Sequence, residues 1–177
     1  MNKIKTIDQK ELTGIIDYLS HKITHQDWKP DVIVTMAKGG LIPTRLIARK
    51  LNIKKILSFG ISFYDNDDKK VDVPIIYQRL DECKDLLKGK NILLVDDIAD
   101  TGDSLKYCIE HLKELGIVGH DIGTTLYPDD EHLHLVSYKS HRNYRVCSLF
   151  YKPKSKIIPD FSFGEIDSDI WVYFPWE

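Results

Sequence analysis

The sequence predicts an α/β fold, with a mainly parallel twisted sheet and flanking helices. Two apolar runs of strand length, at 31–36 and 91–95, each pass through a short loop into a segment of helical character. That repeated order of strand, loop and helix is typical of a parallel α/β sheet. Ligands in such sheets gather at the carboxyl ends of the strands. The loops that follow these two runs, 37–40 and 96–104, are therefore the first candidates for a functional site.

Length and composition indicate one globular domain spanning 1–177. Hydrophobic residues make up 42% and charged residues 29%, which argues against disorder, and a net charge of −2 argues against a dedicated nucleic-acid binder. No apolar run approaches the roughly 18 residues of a membrane span, and Met1–Lys10 is too polar for a signal peptide. Three separated cysteines without a CxxC fit a reduced cytoplasm, so we expect a cytoplasmic protein.

The elements follow in order. Apolar residues at helical spacing predict a first helix, which Asp8 and Glu11 would cap: Leu12, Ile15, Ile16, Leu19 and Ile23. The strand at 31–36 ends in two glycines, and the helix 41–51 follows, with Pro43 tolerated in its first turn. A β-rich run at 56–63 leads into a polar stretch, 64–72. After the run at 91–95 comes a helix at 105–115, which Gly116 terminates.

The loop after 91–95 carries the chemistry. It opens with Asp96 and Asp97, which in a strand would point to opposite faces, one into the core at prohibitive cost. We therefore expect the chain to leave the sheet there, so that both carboxylates reach solvent or a ligand. Asp100–Ser104 then supplies hydroxyls, a glycine and a helix start whose N–H groups form an anion cradle. Helix capping explains one aspartate, not four within eight residues. The GxxxxGK[ST] and GxGxxG phosphate motifs are absent.

These residues also carry a family resemblance. LVDDIADTGDSL (94–105) resembles the phosphoribosyl diphosphate (PRPP) motif of the type I phosphoribosyltransferases. PDVIVTMAKGGLIPTRLIARKLNI (30–53) resembles the family's diphosphate-loop segment, and SFYDNDDKK (62–70) the start of its mobile catalytic loop. The tail, from LFYKP (149–153) to DIWVYFPWE (169–177), is similar to the purine-binding hood of the xanthine-guanine and archaeal hypoxanthine-guanine branch.

The resemblance covers nearly the whole chain and implies an activity. It implies transfer of the 5-phosphoribosyl group of PRPP to a 6-oxopurine base (guanine, xanthine or hypoxanthine), with release of diphosphate, in purine salvage. It implies Mg²⁺ as the cofactor, a hood built from about 150–177, and PRPP and a purine base as partners. Family members are commonly dimers or tetramers, so we expect a homo-oligomer. We expect no nucleic-acid or membrane partner.

The resemblance assigns roles to the loop residues. Asp96 and Asp97 would hold the ribose hydroxyls and the metal, with Asp97 as the Mg²⁺ contact. The 5′-phosphate would lie on Asp100–Ser104, and Asp100 also matches the acid near purine N7, a general base or hydrogen-bond acceptor. The implied PRPP-binding set is Lys38, Gly39, Asp96, Asp97, Ala99, Asp100, Thr101, Gly102, Asp103 and Ser104.

Two basic residues are implied to meet the diphosphate. Lys38-Gly39 corresponds to a loop where the family often has Arg-Gly joined by a non-proline cis peptide. The lysine keeps the positive charge but loses the bidentate fork of arginine, and an ordinary strand-to-helix turn is the alternative. Lys70 matches a basic residue of the mobile loop and is, with Asp100, the candidate catalytic residue. Lys69 and Arg79 compete for that role, and a solvated charge run is the alternative.

In the hood, Lys152 matches the lysine that donates to purine O6. Lysine offers only donors, whereas adenine presents an amino donor at that edge, so such a site should reject adenine. Trp171 matches the aromatic that stacks on the base, and the backbone of Val172 the edge contact beside it. The alternative for Trp171 is plain core packing.

The segment at about 117–145 is an insertion relative to the enzymes that the chain resembles. His132 and His134 would share one face of a strand, but a hydrated surface hairpin is preferred over a metal site. Thr124–Pro128 partly mimics the strand before the hood lysine, and 146–151 is preferred because Lys152 follows it. We expect the insertion to be dispensable for chemistry and to serve assembly or stability.

Two other functions remain open. One is a regulatory protein on the same fold that senses PRPP or nucleotide and binds DNA or RNA. The other is a phosphoribosyltransferase for another base.

Overall fold

The computed structural model describes residues 3–65, 69–119, 125–128, 133–136 and 142–177, with only the backbone described for Lys70, 125–128 and 133–136. In chain order the elements are β1 (Lys3–Thr6), α1 (Gln9–Thr24), β2 (Val32–Ala37), α2 (Leu41–Leu51), β3 (Ile56–Tyr64), β4 (Lys70–Gln78), a 3-10 turn (Asp81–Cys83), α3 (Lys84–Leu87), β5 (Ile92–Ala99), α4 (Asp103–Glu114), β6 (Thr125–Pro128), β7 (Leu133–Val136), β8 (Tyr144–Tyr151), β9 (Phe161–Glu165) and β10 (Ile170–Tyr173).

The central sheet has six strands in the order β4-β3-β2-β5-β8-β9. Neighbouring strands from β3 to β9 in this order pair in parallel. The edge strand β4 pairs antiparallel with β3. The predicted α/β class with a mainly parallel sheet is confirmed. Since β2 and β5 are neighbours, the two loops that follow them open at the same edge of the sheet.

Helix α1 begins as its sequence predicts. The Asp8 carboxylate accepts a hydrogen bond of 2.7 Å from the Glu11 N–H, and the five apolar residues at helical spacing are all buried. Helix α2 has the predicted bounds, whereas α4 starts two residues earlier than predicted, at Asp103. Among the described residues, no helix combines the length and the apolar character that a membrane crossing requires.

The two faces of the sheet bury separate clusters of side chains. On β5, Leu93 and Val95 belong to the cluster that includes α1 and α2. Ile92 and Leu94 alternate with them and pack in the cluster that includes α4. Each such side chain stabilises the fold by about 1.5–3 kcal/mol when fully buried. Strand β5 is therefore anchored on both sides just before its aspartates.

The strand β10 lies outside the central sheet and pairs in parallel with β1, with Ile4 opposite Trp171 and Lys5 opposite Val172. The backbone N–H of Ile7 donates to the Tyr173 carbonyl at 2.8 Å and continues this contact. The strand β1, which precedes Asp8, was not predicted from the sequence. The segment assigned to the hood is thus held by the N-terminal strand, a pairing between residues too distant in sequence for local patterns to indicate.

The three cysteines form no disulfide. Cys108 and Cys147 are buried, and burial raises the pKa of the Cys147 thiol to about 12 and also raises that of Cys108. Both therefore remain neutral thiols at physiological pH, as small apolar core residues.

Part of the insertion forms an antiparallel pair, in which Thr125 on β6 lies opposite Val136 on β7. The remaining residues of this region, 120–124, 129–132 and 137–141, lie outside the described residues. The alternative of a metal site at His132 therefore stays untested. Strand β8, not β6, lies beside β5 in the central sheet and leads directly into Lys152, which supports the preferred alignment.

Candidate active site

The carboxyl ends of β2 and β5 separate at one point. The two strands pair only as far as Thr35 and Val95, after which β2 turns towards α2. Strand β5 continues along β8 until Ala99 lies opposite Tyr151. The expectation that the chain leaves the sheet at Asp96 is therefore wrong. The aspartates are accommodated within the strand because its other neighbour has turned away and left one side open.

Asp96 and Asp97 are partly buried at this opening. The Asp97 N–H donates to Asp96 Oδ1 at 3.0 Å, and the Ile98 N–H donates to Asp97 Oδ1 at 2.6 Å. Burial raises the pKa of Asp96 well above its ordinary value, to which repulsion from Asp97 adds, and burial also raises the pKa of Asp97. In the described part of the chain neither carboxylate forms an ion pair with lysine or arginine. A bound cation would relieve this desolvated pair.

The loop after β2 lies against the Asp97 carboxylate. A Cβ on Gly39 would lie 2.4 Å from Asp97 Oδ2, and one on Gly40 would lie 2.4 Å from the Val95 carbonyl oxygen. Only glycine fits at Gly40, where the obstacle is backbone, whereas a Cβ at Gly39 would require the Asp97 carboxylate or the loop to move. The cis peptide joins Ala37 to Lys38. It lies one bond before the Lys38–Gly39 bond that the resemblance indicated, which corrects that expectation. The Lys38 side chain is exposed at the opening.

The second loop turns into α4 through Gly102, which has a left-handed φ of +74°. A Cβ there would lie 2.6 Å from Ser155 Oγ and 2.8 Å from the Ile157 nitrogen. The Lys156 N–H donates to the Thr101 carbonyl at 2.8 Å. The first N–H groups of α4 have no partner within the helix, so this end can bind an anion.

Lysines of the segment after β8 neutralise the aspartates of this loop. Lys152 is only 5% exposed, and its Nζ lies 3.3 Å from Asp100 Oδ2. Lys154 Nζ lies 2.8 Å from Asp100 Oδ1, and Lys156 Nζ lies 2.5 Å from Asp103 Oδ1. A buried ammonium is stable only when it is paired, so Asp100 holds Lys152 in place.

A cleft of about 180 Å³ joins the paired acids to the hood. The residues predicted to contact the base all border it: Lys152 in its wall, Trp171 with a half-exposed ring, and the buried Val172. The full lining is Asp97, Ile98, Asp100, Lys152, Trp171, Val172, Phe174 and Glu177. One cleft thus combines carboxylates, a buried cation and an exposed aromatic ring.

The family model described as phosphoribosyl transferase domain matches residues 4–177. The chain belongs to this family.

Sequence and structure similarities to known proteins support this family assignment. A xanthine-guanine phosphoribosyltransferase of Chromohalobacter salexigens is 26% identical over 172 residues, covering 97% of this chain and 83% of the relative. A purine phosphoribosyltransferase from Pyrococcus horikoshii superposes with a TM-score of 0.66 at 26% identity, covering 98% and 94% of the two chains. A hypothetical protein from Neisseria gonorrhoeae with bound ppGpp shares the fold, with a TM-score of 0.72 at 23% identity and coverage of 100% and 90%.

No described contact brings the predicted catalytic residue Lys70 of this phosphoribosyltransferase to the cleft. Lys70 opens β4 opposite Tyr64, and its side chain lies outside the described residues. Its competitor Arg79 follows the far end of β4, where its Nε donates to Asp81 Oδ2 at 2.8 Å. Arg79 therefore lies away from the tip of the β3–β4 hairpin.

Four residues at the site of this family member were not predicted from the sequence. Lys154 and Lys156 pair with the loop aspartates, and the alternating lysines of KPKSK directly after a strand were an available signal. Phe174 and Glu177 line the cleft, and the negative charge of Glu177 contributes to the raised pKa of Asp97. No local pattern marks these two residues, because only the path of the hood brings them to the cleft.

Proposed function

We propose that this phosphoribosyltransferase transfers the 5-phosphoribosyl group of PRPP to a 6-oxopurine (guanine, xanthine or hypoxanthine), with release of diphosphate, as a step of purine salvage. The observation that carries the proposal is the position of Lys152, a buried ammonium in the wall of the cleft that Asp97, Asp100 and Trp171 also line. The xanthine-guanine enzyme of Chromohalobacter salexigens and the purine enzyme of Pyrococcus horikoshii support the choice of base.

PRPP would bind across the opening between the two loops. The 5′-phosphate would lie on Asp100–Ser104, where the first N–H groups of α4 have no partner within the helix. The diphosphate would meet the backbone of the loop at Lys38 and Gly39, and the ribose hydroxyls would be held by Asp96 and Asp97. The close approach of Gly39 to Asp97 supports this arrangement, because the backbone of the loop at Lys38 and Gly39 lies directly beside a carboxylate proposed to hold the ribose.

The residues present also fit Mg²⁺. Asp96 and Asp97 are desolvated carboxylates without a cationic partner in the described part of the chain, and carboxylate oxygen is the ligand that Mg²⁺ prefers. Asp97 would hold the ion. When bound, Mg²⁺ neutralises charge on the diphosphate.

At the base, the Lys152 ammonium would donate to O6, Trp171 would stack on the ring, and the Val172 backbone would contact the edge. The reaction breaks the bond from ribose C1 to diphosphate and forms the bond from C1 to a purine nitrogen, through a transition state of oxocarbenium character. As this nitrogen bonds to C1, the other nitrogen of the imidazole ring, N7, loses its proton, and Asp100 would be the acceptor within the cleft. Lys70 would approach the diphosphate when the mobile loop closes and excludes water.

Large apolar side chains are exposed on the first turn of α2 and along β4. We therefore propose a homo-oligomer, a dimer or a tetramer. The exposed side chains are Leu41, Ile42, Val73, Ile75 and Tyr77. The absence of disulfides among the three cysteines supports a reducing compartment, the cytoplasm.

Gly39→Ala is expected to lower kcat/KM by roughly a hundredfold. Its Cβ would lie 2.4 Å from Asp97 Oδ2, so either the loop or the carboxylate must move, and small displacements of positioning groups cost about that factor. Initial rates with PRPP, Mg²⁺ and guanine measure the effect. Gly14→Ala is the matched control, because its Cβ meets nothing within 4 Å in α1 and should stabilise the helix by about 0.5–1 kcal/mol. Full activity in Gly39→Ala would contradict the placement of this loop.

The metal assignment is tested by removal. Chelation of divalent ions is expected to abolish turnover of PRPP, and added Mg²⁺ should restore it, because the paired carboxylates otherwise repel the anionic substrate. Thermal melting in parallel checks that the fold persists without the ion. Undiminished turnover in the presence of chelator would contradict the assignment of Mg²⁺ to Asp97.

A further inference from the structure

An aspartate lies in the loop that is proposed to receive the 5′-phosphate. Asp103 is the first residue of α4. The N-terminus of a helix stabilises a negative charge. The Asp103 carboxylate therefore lies at the same positive end of α4 that would attract a phosphate. Left unbalanced, its carboxylate would repel a phosphate dianion a few residues away.

Lys156 balances that charge. Its Nζ donates to Asp103 Oδ1 at 2.5 Å, and this hydrogen bond is the main reason that the pKa of Asp103 lies below its ordinary value. The carboxylate therefore stays ionised at neutral pH, and its charge must be offset by a cation rather than by protonation.

The main chain around Lys156 holds the same loop from outside. The Lys156 N–H donates to the Thr101 carbonyl at 2.8 Å, and Gly102 leaves no room for a Cβ against Ser155. These backbone contacts do not depend on the Lys156 side chain. A substitution that removes only the ammonium therefore changes the charge of the loop while its backbone support remains.

The charges of the loop and its neighbouring segment show what Lys156 adds. Lys152 and Lys154 both pair with Asp100, and Lys156 is the one lysine of this segment that pairs with Asp103. Three lysines against two aspartates leave one net positive charge. Without Lys156 that charge falls to zero, and Asp103, within the phosphate-binding turn itself, loses its ion-pair partner and keeps only the weaker influence of Lys106.

We propose that Lys156 is a positioning residue for phosphate binding, which neutralises Asp103 so that the loop Asp100–Ser104 accepts the 5′-phosphate of PRPP. This inference rests on the proposed function. Lys156 acts through Asp103, and its role is electrostatic. This neutralisation would allow the acidic Asp103 to stand in a loop that binds a dianion.

Lys156→Ala should raise the KM for PRPP about tenfold, the change expected from one unbalanced charge close to a phosphate in a partly solvated site. The kcat should change little, because the lost interaction is made equally with bound substrate and with the transition state. Lys156→Arg, which keeps the charge, should stay close to the wild type.

The decisive variants form a double-mutant cycle with Asp103→Asn. If Lys156 acts by neutralising Asp103, Lys156→Ala raises the KM for PRPP much less in the Asp103→Asn background than in the wild-type background. Lys50→Ala is the matched control. Lys50 forms a comparable ion pair with Asp17, at 2.6 Å, at the end of α2 remote from the loops, so its loss should leave the KM unchanged.

A reduced effect of Lys156→Ala in the Asp103→Asn background, with Lys156→Arg near the wild type, supports the inference. An equal effect of Lys156→Ala in both backgrounds would overturn it, because the ammonium would then act on something other than Asp103. A fall in thermal stability that tracks the rise in KM across the series would overturn it as well. A wild type that binds no PRPP would overturn the proposed function itself, which distinguishes the two failures.

Discussion

Asp97→Asn is expected to lower kcat/KM by about a thousandfold while leaving the fold intact. The amide keeps the shape of the side chain but removes the charge that would hold Mg²⁺ and orient the ribose hydroxyls, a contribution of several kcal/mol to the barrier. Asp97 is partly buried, and burial raises its pKa, so a neutral side chain there should melt at the same temperature as the wild type or higher.

Initial rates with PRPP, Mg²⁺ and guanine, together with thermal melting, measure both effects. Asp17→Asn is a suitable control, because Asp17 is an exposed carboxylate of α1 whose partner is Lys50. Near-normal activity of Asp97→Asn would contradict the proposal that Asp97 holds Mg²⁺ and the ribose hydroxyls. Lost activity accompanied by a lower melting temperature would instead indicate that Asp97 supports the fold.

Lys152→Ala is expected to lower kcat/KM for 6-oxopurines by about a hundredfold, while the affinity for PRPP stays close to that of the wild type. The ammonium is buried in the cleft wall and supplies the donor for O6, and losing a buried polar partner of a substrate costs about this much or more. Calorimetry with PRPP and initial rates with purines separate the two bindings.

Lys154→Ala provides the matched comparison. Lys154 pairs with the same carboxylate as Lys152 but is half exposed and does not line the cleft, so its loss should affect base use much less. If the affinity for PRPP fell in step with the use of purine in Lys152→Ala, the assignment of Lys152 to the base would be wrong.

Local patterns predicted the elements that carry the site. The spacing of apolar residues and the Asp8 cap predicted α1, and the two glycines before Leu41 predicted the start of α2. The density of aspartates after a buried run directed attention to 96–104, and the structure places that loop beside the loop 37–40. These features depend on residues close together in the chain, which is why they are readable from the sequence.

The features that the sequence did not predict depend on distant partners. Strand β5 continues past Asp96 because β2 turns away and β8 does not. The hood is not formed by the C-terminal segment alone, because its strand pairs with β1, where Lys5 lies opposite Val172. The roles of Lys154 and Lys156 became visible only when α4 and the segment after β8 came together. Periodicity and propensity contain no information about such contacts.

The measurement that tests the central claim most directly is a base panel. The protein is assayed with PRPP and Mg²⁺ against guanine, xanthine, hypoxanthine, adenine and pyrimidine bases, with nucleoside monophosphate and diphosphate followed as products. A lysine that only donates at the 6-position predicts that at least one 6-oxopurine is used with a kcat/KM roughly a hundredfold or more above that of adenine. Preference for adenine or a pyrimidine, or binding of PRPP without transfer to any base, would contradict the account.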